Sequence, residues 1–221
     1  MKRLSKHLMV TALTFLCLGV ICTLPARADE EVENIFQHVS ELNPGLVDYS
    51  AAINLNVKAK WLFVPYSPKL AGHYYYKNPD KHKLVLEDAP SFIKNQPNAF
   101  GFSLPDLTRV NSRVARITSI NGQKCYEVVL IPKTERSFTS QQFWINCENY
   151  TVPRQITNYK DNGKLTVDAT YTVIGDYWVF DKMHAEFSFP KVKVQASADA
   201  SYSNYKFNQG LTDSFFEKKK K

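Results

Sequence analysis

The sequence predicts a mainly β chain of the α+β type: one antiparallel meander with helices at its start and in one insertion. Three observations predict it. First, INLNVKAKWLFV (53–64) alternates without a fault, with Ile53, Leu55, Val57, Ala59, Trp61 and Phe63 on one side and Asn54, Asn56, Lys58 and Lys60 on the other, the pattern of a half-buried strand. Second, about ten such segments follow one another, separated by tight-turn residues. Third, only two stretches carry convincing helical signals, and no Pro/Gly-rich linker divides the 221 residues.

Residues 1–28 have the layout of an export signal. Lys2, Arg3 and Lys6 precede an apolar stretch, 8–24, and Ala26 and Ala28 occupy the small positions before a cut ahead of Asp29. An uncleaved anchor is the alternative. The export reading places the protein in the periplasm and divides the chain into a signal (1–28), a folded body (29–216) and a basic tail (217–221). It also reassigns the charge. The net +7 includes Lys2, Arg3, Lys6 and Arg27, which leave with the signal, and Lys218–Lys221, which end the chain. The body is close to neutral, so the high pI does not argue for nucleic acid. The lysine tail reads either as a solvated end or as weak contact with anionic lipid, at about 1 kcal/mol per lysine near a charged surface.

The body opens with an amphipathic helix, 29–45, in which Val32, Ile35, Phe36, Val39 and Leu42 follow helical spacing and Asn43-Pro44-Gly45 stops it. The first strand is 49–64. Strands 70–77 and 82–88 follow, joined through Asn78-Pro79-Asp80. Residues 89–95 read as a short helix with Pro90 in its first turn, and 96–106 as a loop with exposed-looking aromatics. Asn121-Gly122 then joins two strands in a two-residue turn that pairs Ile120 with Gln123 and Arg116 with Glu127. The next strand is 140–147. With its turn centred near Arg136, Cys125 faces Cys147 and Lys124 faces Glu148. Cys125 and Cys147 are the two cysteines that outlast the signal, and an exported pair is most simply one disulfide. A further Asn-Gly joins 153–160 to 164–173. Strands 183–189 and 192–208 close the meander, and GLTDSFF is a last helical turn or a docked tail.

Several strands repeat the first one's alternation. Leu84 and Leu86, then Leu165, Val167, Ala169, Tyr171 and Val173, then Met183, Ala185, Phe187 and Phe189, then Val192, Val194, Ala196 and Ala198 all share an inner side. One helix cannot cover ten strands. Two stacked halves would fill their own core, whereas a curled sheet of this size leaves apolar volume, suited to an acyl chain. Period alone does not choose between a packed core and a hollow one.

The order VDYSAAINLNVKAK, AGHYYYKNPDKHKLVLEDAPSFI, YEVVLIP, FWINCENYTVPRQITNYKDNGKLTVDATY and YKFNQGLTDSFF resembles the outer-membrane lipoprotein carrier proteins (LolA-like) and their lipoprotein-sorting relatives over nearly all of 30–216. The resemblance implies an open half-barrel whose concave apolar face is covered by the N-terminal helix and a short insert helix. It implies a non-enzymatic periplasmic carrier that takes acyl chains of lipoproteins or lipids and hands them towards the outer membrane, with an inner-membrane releasing transporter and an outer-membrane acceptor as partners. The expected cavity lining is Ile53, Leu55, Val57, Trp61, Phe63, Tyr74, Tyr76, Leu84, Leu86, Leu165, Val167, Tyr171, Phe187 and Phe189, with Ile35, Phe36 and Val39 supplying a lid. On that face Leu55→Glu and Phe187→Glu should weaken lipid binding, and Lys58→Glu, on the other side, should be much milder.

Two other functions fit the same pattern: a binding or sensing module that takes a protein partner's hydrophobic segment, and a hydrolase assembled from scattered residues. His38, His73, His82 and His184 lack metal-ligand spacing. Ser91-x-x-Lys94 lacks its companion motifs, and no G-x-S-x-G, phosphate-binding loop or H-E-x-x-H is present. No catalytic residue and no cofactor is expected.

Overall fold

The computed structural model describes residues 26–61, 64–87, 89 and 97–217. Helix α1 (Ala26–Ser40) buries Val32, Ile35, Phe36 and Val39 and exposes the residues between them, as the helical spacing requires. It begins three residues before the expected start and ends just before Asn43. The Asn43 side chain closes two hydrogen bonds with the Trp178 backbone, donating to its carbonyl at 2.9 Å and accepting from its N–H at 2.8 Å, which ties the helix exit to the sheet.

The sheet holds β1 (Asp48–Trp61), β2 (Val64–Tyr66), β3 (Lys69–Lys77), β4 (Lys81–Leu86), β5 (Val110–Ile120), β6 (Gln123–Pro132), β7 (Phe138–Asn146), β8 (Arg154–Tyr159), β9 (Lys164–Ile174), β10 (Tyr177–Phe189) and β11 (Val194–Phe207). Their order is β4-β3-β1-β11-β10-β9-β8-β7-β6-β5, with β2 pairing only β1. The meander from β5 to β11 thus returns to lie beside β1, and among the described residues no strand pairs beyond β4 or β5, so the half-barrel is open. β10 starts six residues earlier than expected. Gly175-Asp176, with Gly175 at φ +61°, makes a two-residue turn that pairs Ile174 with Tyr177.

The Asn121-Gly122 hairpin forms as read. Both residues have positive φ, Ile120 pairs with Gln123, and Arg116 pairs with Glu127 through a 2.7 Å ion pair. The second Asn-Gly differs: Asp161 and Asn162 take the left-handed conformation, and the N–H of Tyr159 donates to the Gly163 carbonyl across a longer turn. The β6–β7 register also differs, by one residue. Cys125 lies opposite Asn146, the N–H of Cys147 donates to the Lys124 carbonyl, and both cysteines are free thiols, so neither the expected disulfide nor the Lys124–Glu148 alignment is formed. Asn146 accounts for the shift. Its amide donates to Gln123, while its Oδ1 accepts from the N–H groups of Glu148 and Asn149 and ends the strand there. A one-residue slip moves a side chain to the other face of a strand.

Two apolar clusters fill the interior. One joins the inner faces of β1, β3, β4, β9, β10 and β11. The other packs α1 on β5, β6 and β7, with Phe36 edge-on to Phe143 at 5.5 Å, and Phe102 packs against both clusters. Between them runs the insert 97–106, expected as an exposed aromatic loop. Ala99 and Phe100 are instead buried against the concave face, and the Phe100 carbonyl accepts from the Tyr202 hydroxyl at 2.7 Å. Gly101 permits this approach, because a Cβ there would stand 1.9 Å from the Tyr74 hydroxyl. The expected insert helix, 89–95, lies outside the described residues apart from the buried Ala89.

The C-terminal segment is both alternatives at once, a helical turn and a docked strap. Asp48, fully buried, accepts from the N–H groups of Gln209 and Leu211. Helix α2 (Asp213–Phe216) then lies on the outer side of β3 and β4. Asp213 pairs with Lys77 and Lys81 at 2.7 Å each, and Phe215 meets Tyr75 edge-on under the Lys83 ammonium.

Candidate functional site

The concave face has a packed middle and a hollow at each end. The middle is closed by small inner residues, Ala185, Ala198 and Ala200, which leave room for Phe100 to come down onto the sheet beside Tyr202 of β11. Ile53, Leu55, Leu84, Leu86 and Val167 are packed there, at 8% exposure or less.

The first hollow lies where β8 and β10 end and β9 and β11 begin. It measures about 550 Å³ and is lined by Val57, Phe100, Leu165, Phe187, Phe189 and Val194, with Ser137 and Tyr159 at its edge. The size falls within the range of about 300–1,000 Å³ found for small-molecule sites. The second hollow, about 110 Å³, lies at the other end between the α1 exit, the β3–β4 turn and the start of β10. Val39, Tyr74, Tyr76 and Tyr171 line it, together with Tyr49 and Trp178.

The expected lining residues therefore separate. Val57, Leu165, Phe187 and Phe189 share the first hollow; Val39, Tyr74, Tyr76 and Tyr171 share the second. Ile35 and Phe36 face β5–β7 and not the residues of β1. The Trp61 side chain and Phe63 lie outside the described residues. Of the lining residues not expected, Val194, Ala196 and Ala198 stood on an alternating inner face and were signalled by it, whereas Phe100 had no periodic signal at all.

Charge is nearly absent from the second hollow. Burial pushes the Tyr76 phenol up to about 12 and raises Tyr49, Tyr74 and Tyr171 further. Burial also lowers His82 to about 4, so its ring is neutral at pH 7. Its Nδ1 hydrogen-bonds the Tyr74 hydroxyl at 2.5 Å and its Nε2 the Ser103 hydroxyl at 2.9 Å, which holds the insert to β3 and β4. Among the described residues no group of three His, Cys, Asp or Glu could hold a metal ion, and no described helix is long and apolar enough to cross a membrane.

Comparison with known proteins gives the following. A family model described as "Uncharacterized protein" matches residues 103–220, just over half of the chain. No curated protein matches. Among solved structures, a domain assigned to outer membrane lipoprotein sorting from Vibrio parahaemolyticus superposes with TM-score 0.60 at 15% identity, covering 87% of this chain and 97% of that one. A LolA superfamily protein from Nitrosomonas europaea gives 0.59 at 11%, covering 84% and 97%. A DUF1329 family protein from Desulfovibrio piger gives 0.59 at 13%, covering 86% and 97%. At these identities the likeness is one of fold, and it spans the whole half-barrel. The chain belongs to the family whose model covers residues 103–220, and it is built on the fold of the LolA-superfamily and lipoprotein-sorting domains.

Proposed function

We propose that the protein is a periplasmic, non-enzymatic carrier that shelters an acyl chain in the hollow lined by Val57, Leu165, Phe187 and Phe189. The observation that carries this reading is that hollow: an apolar space of about 550 Å³ at the open end of a concave face. An apolar surface of this shape gains most by receiving a hydrocarbon. The likeness of fold to lipoprotein-sorting domains supports the same reading. Loading and release need no covalent step, only differential affinity among donor, carrier and acceptor. Export through cleavage after Ala28 would bring the protein to the periplasm. An inner-membrane releasing transporter and an outer-membrane acceptor would be its partners, and Lys218–Lys221 would add weak contact with anionic membrane.

The test is extraction and mass spectrometry of lipids that co-purify with the protein, alongside uptake of a fluorescent fatty acid. Bound acyl lipid in the wild type and its loss in Phe187→Glu are expected. An empty protein that takes up no fatty acid and instead retains a single protein partner would refute the carrier.

A further inference from the structure

The mouth of the first hollow carries a charge pattern that the acyl-chain reading leaves unused. Three connections meet there: the loop after β6, the turn before β9 and the turn before β11. They bring Lys133, Arg136, Lys160, Lys164, Lys191 and Lys193 to the same end of the sheet, against Glu135 and Asp161. Both acids are already engaged, Glu135 with Lys160 and Asp161 with Lys191. Lys164 and Lys193 have no ion pair among the described residues and both are exposed; they stand at the rim, one residue before Leu165 and Val194, with Lys164, opposite Ser188, on its outer side, so both charges border the mouth from water and neither lines the hollow.

Volume limits what can enter. An apolar cavity of about 150 Å³ holds one benzene ring, so on that scale about 550 Å³ holds roughly twenty carbons. That is one long chain. The two chains of a diacyl lipid, or three on one lipoprotein, would need more space than the hollow has.

We infer that the hollow takes a single-chain amphiphile with an anionic head, a carboxylate or a phosphate, whose chain lies against Phe187 and Phe189 and whose head stays in water beside Lys164 and Lys193. This rests on the acyl-chain reading above and adds its cargo class. A hydrated head at the mouth costs little desolvation, while unneutralised lysines within a Debye length favour an anion and disfavour a cation.

The experiment is displacement of a fluorescent fatty acid by ligands that share one chain: myristate, myristoyl lysophosphatidate, myristyl alcohol, myristyl trimethylammonium and dimyristoyl phosphatidate. One equivalent of myristate or of the lysophosphatidate should bind, about tenfold tighter at low salt than the alcohol or the cation, with the gap narrowing as salt rises. The better of these two tells carboxylate from phosphate. In the Lys164→Glu/Lys193→Glu double variant the order of anion and cation should invert with the urea midpoint unchanged. Equal displacement by all head groups overturns the anionic head. Tighter binding of the dimyristoyl lipid than of its single-chain counterpart overturns the single chain. Failure of every amphiphile to bind overturns the acyl-chain reading itself, a distinguishable result.

Discussion

Leu55 and Phe187 sit on the same concave face, yet truncating them should do different things. Leu55 is 1% exposed and lies between Leu70 of β3 and Ala200 of β11. Leu55→Ala removes its burial and leaves a void in a packed region, a cost of about 2–5 kcal/mol. Phe187 is half-buried and already borders a hollow of about 550 Å³. Phe187→Ala creates no new void and loses part of one ring's transfer energy, about 1 kcal/mol. It also removes a wall that the ligand chain would cover, worth a similar amount and hence about fivefold in affinity. Urea unfolding followed by tryptophan fluorescence reads the first quantity, and titration with a fluorescent fatty acid the second. Leu55→Ala should lower the unfolding midpoint strongly while the folded fraction still binds. Phe187→Ala should scarcely move the midpoint and should weaken binding. If Phe187→Ala is as destabilising as Leu55→Ala and leaves binding intact, the hollow is a filled core and the carrier has no seat for its cargo.

Three other outcomes follow from the same geometry. Burial holds His82 at about 4, below its unfolded value near 6.5, so the unfolded chain binds the extra proton between them; stability is full above about pH 6.5 and falls by at most about 3 kcal/mol as pH drops towards 4, a loss that His82→Gln should abolish in pH-dependent urea melts. Gly101→Ala should cost about 3 kcal/mol or more, because its Cβ meets the hydroxyl of the fully buried Tyr74, and near-ultraviolet circular dichroism should report the disturbed tyrosines. The hydrogen bonds from Lys77 and Lys81 hold Asp213 at about 2, so strap docking is complete above about pH 4 and is lost as pH falls towards 2; Asp213→Asn should raise amide exchange in residues 208–217 already at neutral pH.

Where one face of the sheet is buried and the other wet, the fold was legible. Residues 53–58 of β1, 167–170 of β9, 182–186 of β10 and 198–202 of β11 alternate in burial as they alternate in type, because a period of two maps directly onto two sides; Val173, expected on the inner side, is instead 51% exposed near the end of β9. β6 and β7 were not legible in this way. Val128, Leu130, Phe143 and Ile145 meet α1, but Cys125, Val129 and Trp144 on the other side are buried too, so the pattern reads as continuous. The register between these strands turned on the Asn146 side chain, a local polar choice that no hydrophobic period encodes. The split of the candidate site has the same kind of cause. Alternation says that Leu55 and Phe187 share a face; it cannot say that Phe100, ten residues beyond any periodic segment, will cover one and leave the other open.

The outer face answers a problem that the inner one creates. If the concave side accepts and releases a guest, as proposed above, it cannot alone set the register of the sheet. One row of the convex side runs across the strands through directly opposed residues: Arg116 with Glu127, Arg154 with Asp168, and His184 with Asp199. These form ion pairs of 2.7, 2.5 and 2.6 Å, and Asp168 also lies opposite His184, joining the second pair to the third. The hydrogen bond that His184 donates to Asp199, with the one to Glu186 adding to it, raises the His184 pKa against the opposing effect of burial. Each half-exposed pair contributes only about 0.2–1 kcal/mol. Their larger effect is on specificity, since a one-residue slip of β9, β10 or β11 would bring charges to the apolar side and break an ion pair at the same time. Register is thereby held by groups on the face away from both hollows, so a guest entering the concave ends, as the proposed function has it, would not unzip the strands that form them.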